Sequence, residues 1–309
     1  MTVTLSAIAP VFLIIATGYL LFKTRLVDET IWSAIEHLCF YLLFPFLIIR
    51  TLIRANLGSV PVLDFFIVIV IAILGMAILL VLIQAFVWRR FPESGPSFSS
   101  IFQGATRFHG FVAIAIIGPL YGDAGLTLAA LALAIMVPLL NVISVIVLSI
   151  YGRSESKADF AAVARRVFTN PLIIACLAGL LLNRVGVPDI VFSTIDIIGA
   201  GGLGLGLLAV GASMKFGHAA QHKMLLTIGV LTRLIGMPVM VIGMSWLVGL
   251  DGIARTVAII SGAVPTAASA YVMARKMGGD AELMSSIVTF QVMVAFFTLP
   301  LFIYIADQL

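Results

Sequence analysis

The chain has 309 residues, of which 62% are hydrophobic and only 10% are charged, and its mean hydropathy is +1.20. A soluble domain has roughly half apolar and a quarter charged residues, so soluble enzymes and soluble binding modules are excluded. We predict an all-α membrane protein embedded in the lipid bilayer. Basic residues in the loops account for the net charge of +4, so no nucleic-acid partner is expected.

Ten apolar stretches follow one another along the chain. Because a helix needs about 20 mainly apolar residues to cross the hydrocarbon core, each is predicted to span the membrane. Spans one to ten are placed at residues 3–22, 31–53, 63–88, 98–120, 124–150, 171–187, 189–214, 223–249, 252–275 and 282–306. No basic residue precedes the first stretch, so a cleaved signal peptide is not expected.

The orientation is predicted from the 18 Lys and Arg residues. Two of them lie inside spans, four fall on one side, and twelve fall in the alternate loops. Because cytoplasmic loops carry the excess of Lys and Arg, we place both termini on the non-cytoplasmic side of the cell (inner) membrane. The twelve are Lys23, Arg25, Arg89, Arg90, Arg153, Lys157, Arg165, Arg166, Lys215, Lys223, Arg275 and Lys276.

Span four carries Arg107 and His109 at membrane depth. An ionisable side chain near the bilayer centre costs about 3 kcal/mol or more, so it persists only where it faces a cavity or a partner. We therefore predict that Arg107 binds substrate. The alternative is a structural role, in which Arg107 pairs with a lipid phosphate, an acidic residue or backbone carbonyls.

The two halves of the chain resemble each other. A shift of 157 residues brings Gly122-Asp123-Ala124 onto Gly279-Asp280-Ala281, and a shift of 161 pairs Pro10 with Pro171. We predict a five-helix repeat at 1–150, a cytoplasmic loop at 151–170, and a second repeat at 171–309. An odd number of crossings inverts the second repeat, as in many secondary transporters. Chance identity between apolar strings is the alternative.

The shift of 157 superposes Arg107-Phe108-His109 on Val264-Pro265-Thr266 of span nine. Pro265 removes a backbone donor, and Gly104 and Gly110 weaken the helix around the first triplet. Broken helices at membrane depth are tolerated only where they line a cavity or are buried in protein. We predict that spans four and nine are broken and cross, so that their half-helix N-termini and Arg107 favour a carboxylate. A kinked, packed helix is the alternative for Pro265.

Other polar residues inside spans have two possible roles. Asn141 in span five and Gln291 in span ten could hydrogen-bond substrate or only link helices. Glu36 and Asp196, which are 160 residues apart, could belong to a proton path or could be solvated carboxylates near the membrane faces. Arg233 in span eight could pair with an acidic residue or belong to the anion path.

Several motifs together resemble the auxin efflux carrier family of secondary transporters, which includes plant PIN-formed auxin carriers and bacterial malonate or malate permeases. The resemblance covers essentially the full length. The motifs are Phe44-Pro45-Phe46, Arg107-Phe108-His109-Gly110-Phe111, Tyr121-Gly122, Asn170-Pro171-Leu172, the glycine-rich run through Gly211, and Val264-Pro265-Thr266.

The resemblance implies a scaffold of spans one, two, six and seven and a transport unit of spans three to five and eight to ten. It also implies an elevator-like movement, a homodimer, and a substrate site at the crossing that includes Gly110. The family commonly has Asn at the position of His109 and a Pro a few residues later, where this chain has Ala113-Ile114-Ala115. His109 could bind substrate directly or add pH dependence, or it could replace the Asn as a neutral hydrogen-bonding group.

A secondary carrier for a small organic acid explains these features together. An intramembrane enzyme would need a nucleophile with its base, or a set of metal ligands, and the spans contain neither pattern. No catalytic residue, cofactor or metal ion is therefore expected. Coupling to protons or sodium stays open, and the alternatives are a sodium-coupled symporter of the bile-acid type and a non-transport membrane receptor.

Overall fold

The computed structural model describes residues 2–56, 58, 60–86, 94–153, 161, 164–165, 168–216 and 223–309. Most of the loop predicted at 151–170 lies outside these residues. The same holds for four of the basic residues assigned to cytoplasmic loops, which are Arg89, Arg90, Lys157 and Arg166.

The described chain forms eleven helices and, within these residues, no strand. Two of them contain a π-helical turn, at Cys39–Leu43 in α2 and at Thr232–Gly236 in α8. The helices are α1 (Thr2–Lys23), α2 (Glu29–Ile53), α3 (Val62–Phe86), α4 (Ser94–Thr106), α5 (Gly110–Tyr151), α6 (Pro171–Val185), α7 (Asp189–Ala212), α8 (Lys223–Val248), α9 (Gly252–Ala263), α10 (Ser269–Lys276) and α11 (Ala281–Gln308). The prediction of an all-α membrane protein is confirmed.

The ten predicted spans can be located on these helices. Among the described residues, seven helical segments are long and apolar enough to cross a membrane, and α6 and α9 are shorter apolar helices. The longest segment, Gly95–Tyr151, contains two predicted spans, because Gly122 has φ 56° and ψ −148° and interrupts the helix between them. A positive φ costs glycine little, since it has no Cβ.

Spans four and nine are both broken near their middle. In span four, helix α4 ends at Thr106 and α5 begins at Gly110. In span nine, α9 ends at Ala263 and α10 begins at Ser269, with Pro265 in the interruption. The sequence-based prediction of two broken helices is thus confirmed, and each break leaves backbone groups that need partners at membrane depth.

Glycines allow α1 and α7 to approach closely. A Cβ atom at Gly211 would overlap the carbonyl oxygen of Ile15, and one at Gly18 would overlap that of Leu208. Gly199 packs in the same way on the backbone of Leu47 in α2. Small residues are favoured at helix contacts in lipid because they bring the backbones together.

We expect Gly211→Ala to destabilise the protein, because the added methyl group overlaps the α1 backbone and overpacking costs about 1–3 kcal/mol. The matched control is Gly204→Ala in the same helix, where a Cβ meets no atom within 4 Å. The midpoint of thermal unfolding in detergent should fall for Gly211→Ala and stay level or rise for Gly204→Ala. Equal midpoints for the two variants would show that the close α1–α7 contact is not needed.

Candidate functional site

The two breaks are in direct contact through Thr266. Its hydroxyl donates to the carbonyl oxygen of Gly104 at 2.6 Å and to that of Arg107 at 3.1 Å. Thr266 is fully buried and lies in the break of span nine, whereas both acceptors belong to the end of α4 and the residue that follows it. The side chain therefore ties one broken span to the other and satisfies carbonyls that have no partner within their helix.

The amide of Gln291 in α11 is committed to the backbone of this region. Its nitrogen donates to the carbonyls of Gly104 at 2.8 Å and Gly229 at 3.0 Å, and its oxygen accepts from the backbone N–H of Thr266 at 2.8 Å. The side chain has no exposed surface. Both donors of the amide are used, so Gln291 positions the two breaks.

Arg233, in the π-helical turn of α8, also binds backbone carbonyls at both breaks. Nε donates to the carbonyl of Val264 at 2.8 Å, and one terminal nitrogen donates to that of Ser261 at 2.8 Å. The other terminal nitrogen lies 3.2 Å from the carbonyl of Thr106 and 3.5 Å from that of Ala105. One of the roles considered for Arg233 was an ion pair with an acidic residue. That prediction is wrong for the described residues, because the guanidinium binds backbone carbonyls.

Arg107 occupies a different environment, although it follows directly on α4. One terminal nitrogen lies 3.1 Å from Oδ1 of Asn141 and 3.4 Å from Oγ of Ser269, and the other lies 3.3 Å from Sδ of Met273. All three partners are neutral, and no carboxylate pairs with Arg107 among the described residues. Ser269 is exposed and Arg107 is half-buried, so the Arg107 side chain is partly accessible from outside the helices.

Three buried side chains that lie close to Arg107 or Asn141 in the sequence have polar atoms without a hydrogen-bond partner in the described part of the chain. They are Gln103, which lies one helical turn before Arg107, His109 at the start of α5, and Ser144, which lies one turn after Asn141. Gln103 and Ser144 have no exposed surface, and His109 is 5% exposed. Burying a polar group without a partner costs about 1–3 kcal/mol of stability, so such groups usually bind water or a ligand.

Other residues predicted for the site shape the breaks. Gly110 begins α5 close to Leu133, whose side chain a Cβ atom would overlap. Val264 provides a carbonyl to Arg233, and Pro265 is buried between Val264 and Thr266. The structure thus brings Arg107 and Asn141 together beside the two breaks, whereas the ring contact described for His109 is with Phe111, at 5.6 Å between centroids.

The two carboxylates considered for proton coupling lie in α2 and α7. Asp196 forms an ion pair with Arg50 at 2.7 Å, and Glu36 lies on an exposed face of α2. No described hydrogen bond joins either of them to Arg107 or His109. Their coupling role stays a prediction.

Gln103, Ser144 and Ser269 were not predicted from the sequence. A signal for two of them was present in the sequence, because Gln103 precedes Arg107 by four residues and Ser144 follows Asn141 by three, a spacing that would put each pair on one face of a continuous helix. Ser269 gave no such signal, since its contact with Arg107 joins residues 162 positions apart.

We expect Gln291→Leu to lower stability by about 2–5 kcal/mol, because it leaves buried backbone groups at both breaks without partners. Gln103→Leu is the matched control, since it removes a buried amide that makes no described hydrogen bond. Thermal unfolding of the purified variants should show a clear loss for Gln291→Leu and little change or a gain for Gln103→Leu. The reverse order would contradict the positioning role of Gln291.

The chain is similar to known membrane transport proteins. A family model described as "Membrane transport protein" matches residues 3–303. Auxin efflux carrier component 6 of Arabidopsis thaliana is 32% identical over 145 residues, which cover 43% of this chain and 25% of the plant protein. An uncharacterized transporter of Methanothermobacter thermautotrophicus is 23% identical over 292 residues, or 94% of each chain.

The chain thus covers only a quarter of the plant carrier's length but nearly all of the archaeal transporter's. The family match extends across all ten spans, both breaks and the Arg107 environment. The chain is a multi-pass membrane protein and belongs to the membrane transport protein family of the auxin efflux carriers.

Proposed function

We propose that this protein is a secondary transporter that carries a small organic anion, a carboxylate, across the cell membrane. The observation that carries the proposal is the environment of Arg107. Its guanidinium lies at a helix break at membrane depth, and every described hydrogen-bond partner is neutral. A positive charge in such a place needs a counter-charge, which a bound anion supplies.

The helix ends around Arg107 reinforce the preference for an anion. Its guanidinium contacts Ser269, the first residue of α10, and α5 begins three residues after Arg107. A helix N-terminus is equivalent to about half a positive charge, so two N-termini and one guanidinium favour one or two negative charges. A monocarboxylate or a small dicarboxylate fits this balance.

Neutral groups beside Arg107 can give the site its specificity. Asn141 already accepts from the guanidinium, and Gln103 and His109 offer hydrogen-bonding atoms without described partners. A substrate that hydrogen-bonds them would relieve the cost of burying these groups, and an acid without such atoms would not. We infer that the preferred acid carries a second polar group beyond its carboxylate.

The helix contacts support an elevator-like movement. Helices α1, α2, α6 and α7 pack mainly with one another, as do α3 to α5 and α8 to α11. These groups correspond to the scaffold and the transport unit that the family resemblance implies. Aromatic contacts such as Phe12 with Phe296, whose ring centroids are 5.3 Å apart, lie between the groups. Apolar contacts of this kind can slide without leaving buried hydrogen-bonding groups exposed to lipid.

The plant relative's name, an auxin efflux carrier component, supports a carrier over a receptor. The breaks and the uncompensated Arg107 also disfavour a receptor with continuous helices.

We propose that the inverted repeat places the two breaks opposite each other and that both termini lie outside the cytoplasm. The homodimer stays a prediction.

We expect Arg107→Ala to abolish organic-anion transport, because truncating one partner of a buried charge pair costs about 2–5 kcal/mol. The measurement is uptake and counterflow of labelled mono- and dicarboxylates in proteoliposomes, with and without proton and sodium gradients. Arg184→Ala, which removes an exposed arginine at the end of α6, is the control for lost positive charge and should transport normally.

Two results would contradict this assignment. If Arg107→Ala bound and carried the acid with wild-type affinity, Arg107 would not hold the substrate. If the intact wild-type protein moved none of the acids under any gradient, the proposed substrate class would be wrong.

We expect His109→Asn to retain transport, because the amide keeps one donor and one acceptor, whereas His109→Leu should lose it. Both variants should be compared with wild type in the same uptake assay over a range of pH. A changed pH profile in His109→Asn would assign a titrating role to His109, and an unchanged profile would assign a neutral hydrogen-bonding role. Normal transport by His109→Leu would remove His109 from the site.

A further inference from the structure

We propose that a charged cavity between α2, α5 and α7 binds a zwitterionic ligand, with an acidic oxygen group at one end and an ammonium group at the other. The headgroup of an ethanolamine phospholipid and a free amino acid share this chemistry. The cavity has a volume of about 210 Å³, and its charged lining residues are Arg50, Arg54, Asp123 and Asp196. A single water molecule needs about 10–15 Å³ of cavity, so a ligand of several non-hydrogen atoms has room.

The cavity lies where the two groups of helices meet, at the membrane face predicted to be non-cytoplasmic. Arg50 lies in the last turn of α2, Arg54 directly follows that helix, and Phe192 and Asp196 belong to the first two turns of α7. Asp123 comes from the other group and follows the interruption of α5. A ligand in this place contacts both groups of helices, and junctions of this kind are frequent ligand sites.

Two of the four charges neutralise each other. Nη1 of Arg50 lies 2.7 Å from Oδ1 of Asp196, and both side chains are partly exposed. The pair joins α2 to α7 and has no net charge. A charged ligand is therefore recognised by the two remaining groups, Arg54 and Asp123.

Arg54 is suited to the acidic end of the ligand. Its guanidinium carbon lies 3.9 Å from the ring centroid of Phe192, and no carboxylate pairs with it among the described residues. Stacking on a ring uses the face of the guanidinium plane and leaves the N–H groups at its edge available. The fork of these donors matches the oxygens of a phosphate or a carboxylate.

Asp123 supplies the opposite charge. The residue is exposed, and within the described part of the chain no cation pairs with its carboxylate. An ammonium group has three donors, which the carboxylate oxygens can accept. An anion alone would be repelled by Asp123 and a cation alone by Arg54, whereas a zwitterion matches both.

The neighbouring surface of α7 favours a phospholipid as the source of the zwitterion. Ile190 and Ile197, which lie within two residues of Phe192 and Asp196, are 78% and 75% exposed. These apolar side chains lie next to the cavity in the sequence of a helix that is long and apolar enough to cross the membrane. A phospholipid would place its headgroup in the cavity and its acyl chains along this surface.

The first test uses the wild-type protein in detergent, because a ligand that binds the folded state raises the midpoint of thermal unfolding. We expect a short-chain phosphatidylethanolamine to raise this midpoint in a saturable way. The matched phosphatidylglycerol, which lacks the ammonium group, should have little effect. Equal effects of the two lipids would overturn the proposal.

Two soluble probes in the same assay, phosphoethanolamine and glycine, distinguish the sources of the ligand. A rise in the midpoint with either of them would show that the zwitterionic group alone binds. A rise with phosphatidylethanolamine alone would identify a lipid site. If none of these zwitterions raised the midpoint, the cavity would not be the proposed site.

The second test removes one charge at a time. Asp123→Asn and Arg54→Gln should each shift half-maximal stabilisation to a several-fold higher phosphatidylethanolamine concentration, because each loses the group that binds one end of the ligand. Asp64→Asn, which removes an exposed aspartate from the first turn of α3, is the matched control and should respond like wild type. Wild-type responses from the first two variants, or an equally weak response from the control, would contradict the assignment.

A conservative variant separates binding from folding. Asp123→Glu keeps the carboxylate and should retain the response that Asp123→Asn loses; if Asp123→Asn does not fold, Arg54→Gln tests the other end of the ligand. The response is a shift of the unfolding midpoint and requires no transport. If the wild type moves no acid, the proposed transport function is wrong, while the response to phosphatidylethanolamine still tests the cavity.

Discussion

The structure depends on satisfying the backbone groups that two broken helices expose at membrane depth. The end of α4 alone presents the carbonyls of Gly104, Ala105 and Thr106, which have no partners within the helix. Water is absent from the hydrocarbon core, so each group must find a partner in the protein. Gln291, Thr266 and Arg233 provide these partners, and all three reach the junction from outside α4.

This requirement also determines which charges the site can hold. Helix C-termini attract a cation and helix N-termini attract an anion, so a crossing of two broken helices offers both kinds of site within a short distance. Arg233 fills the cationic one with four carbonyl contacts of 2.8–3.5 Å. The other contains Arg107 with neutral neighbours, and this asymmetry is the basis of the proposed preference for an anion.

The spans, the breaks and the position of Arg107 at one break could be predicted from the sequence, because each rests on local chemistry. Apolar length marks a span, Pro265 interrupts a helix wherever it lies, and an arginine at membrane depth is costly in any fold. The roles of Gln291 and Arg233 could not be predicted in the same way. Their partners lie 128 residues away for Arg233 with Ala105 and 187 for Gln291 with Gly104, so only the packed structure distinguishes a positioning residue from a ligand.

The location of the positioning bonds bears on how such a carrier could move. Gln291 in α11, Arg233 in α8 and Thr266 between α9 and α10 all bind within the proposed transport unit. Contacts between that unit and the scaffold include aromatic pairs, such as Phe44 with Phe111. A displacement of the unit relative to the scaffold would therefore preserve the buried hydrogen bonds at the breaks and exchange mainly apolar contacts. The cost of exposing buried polar groups to lipid opposes any movement that separates the two breaks, so the proposed anion site and Arg233 would move as one rigid body.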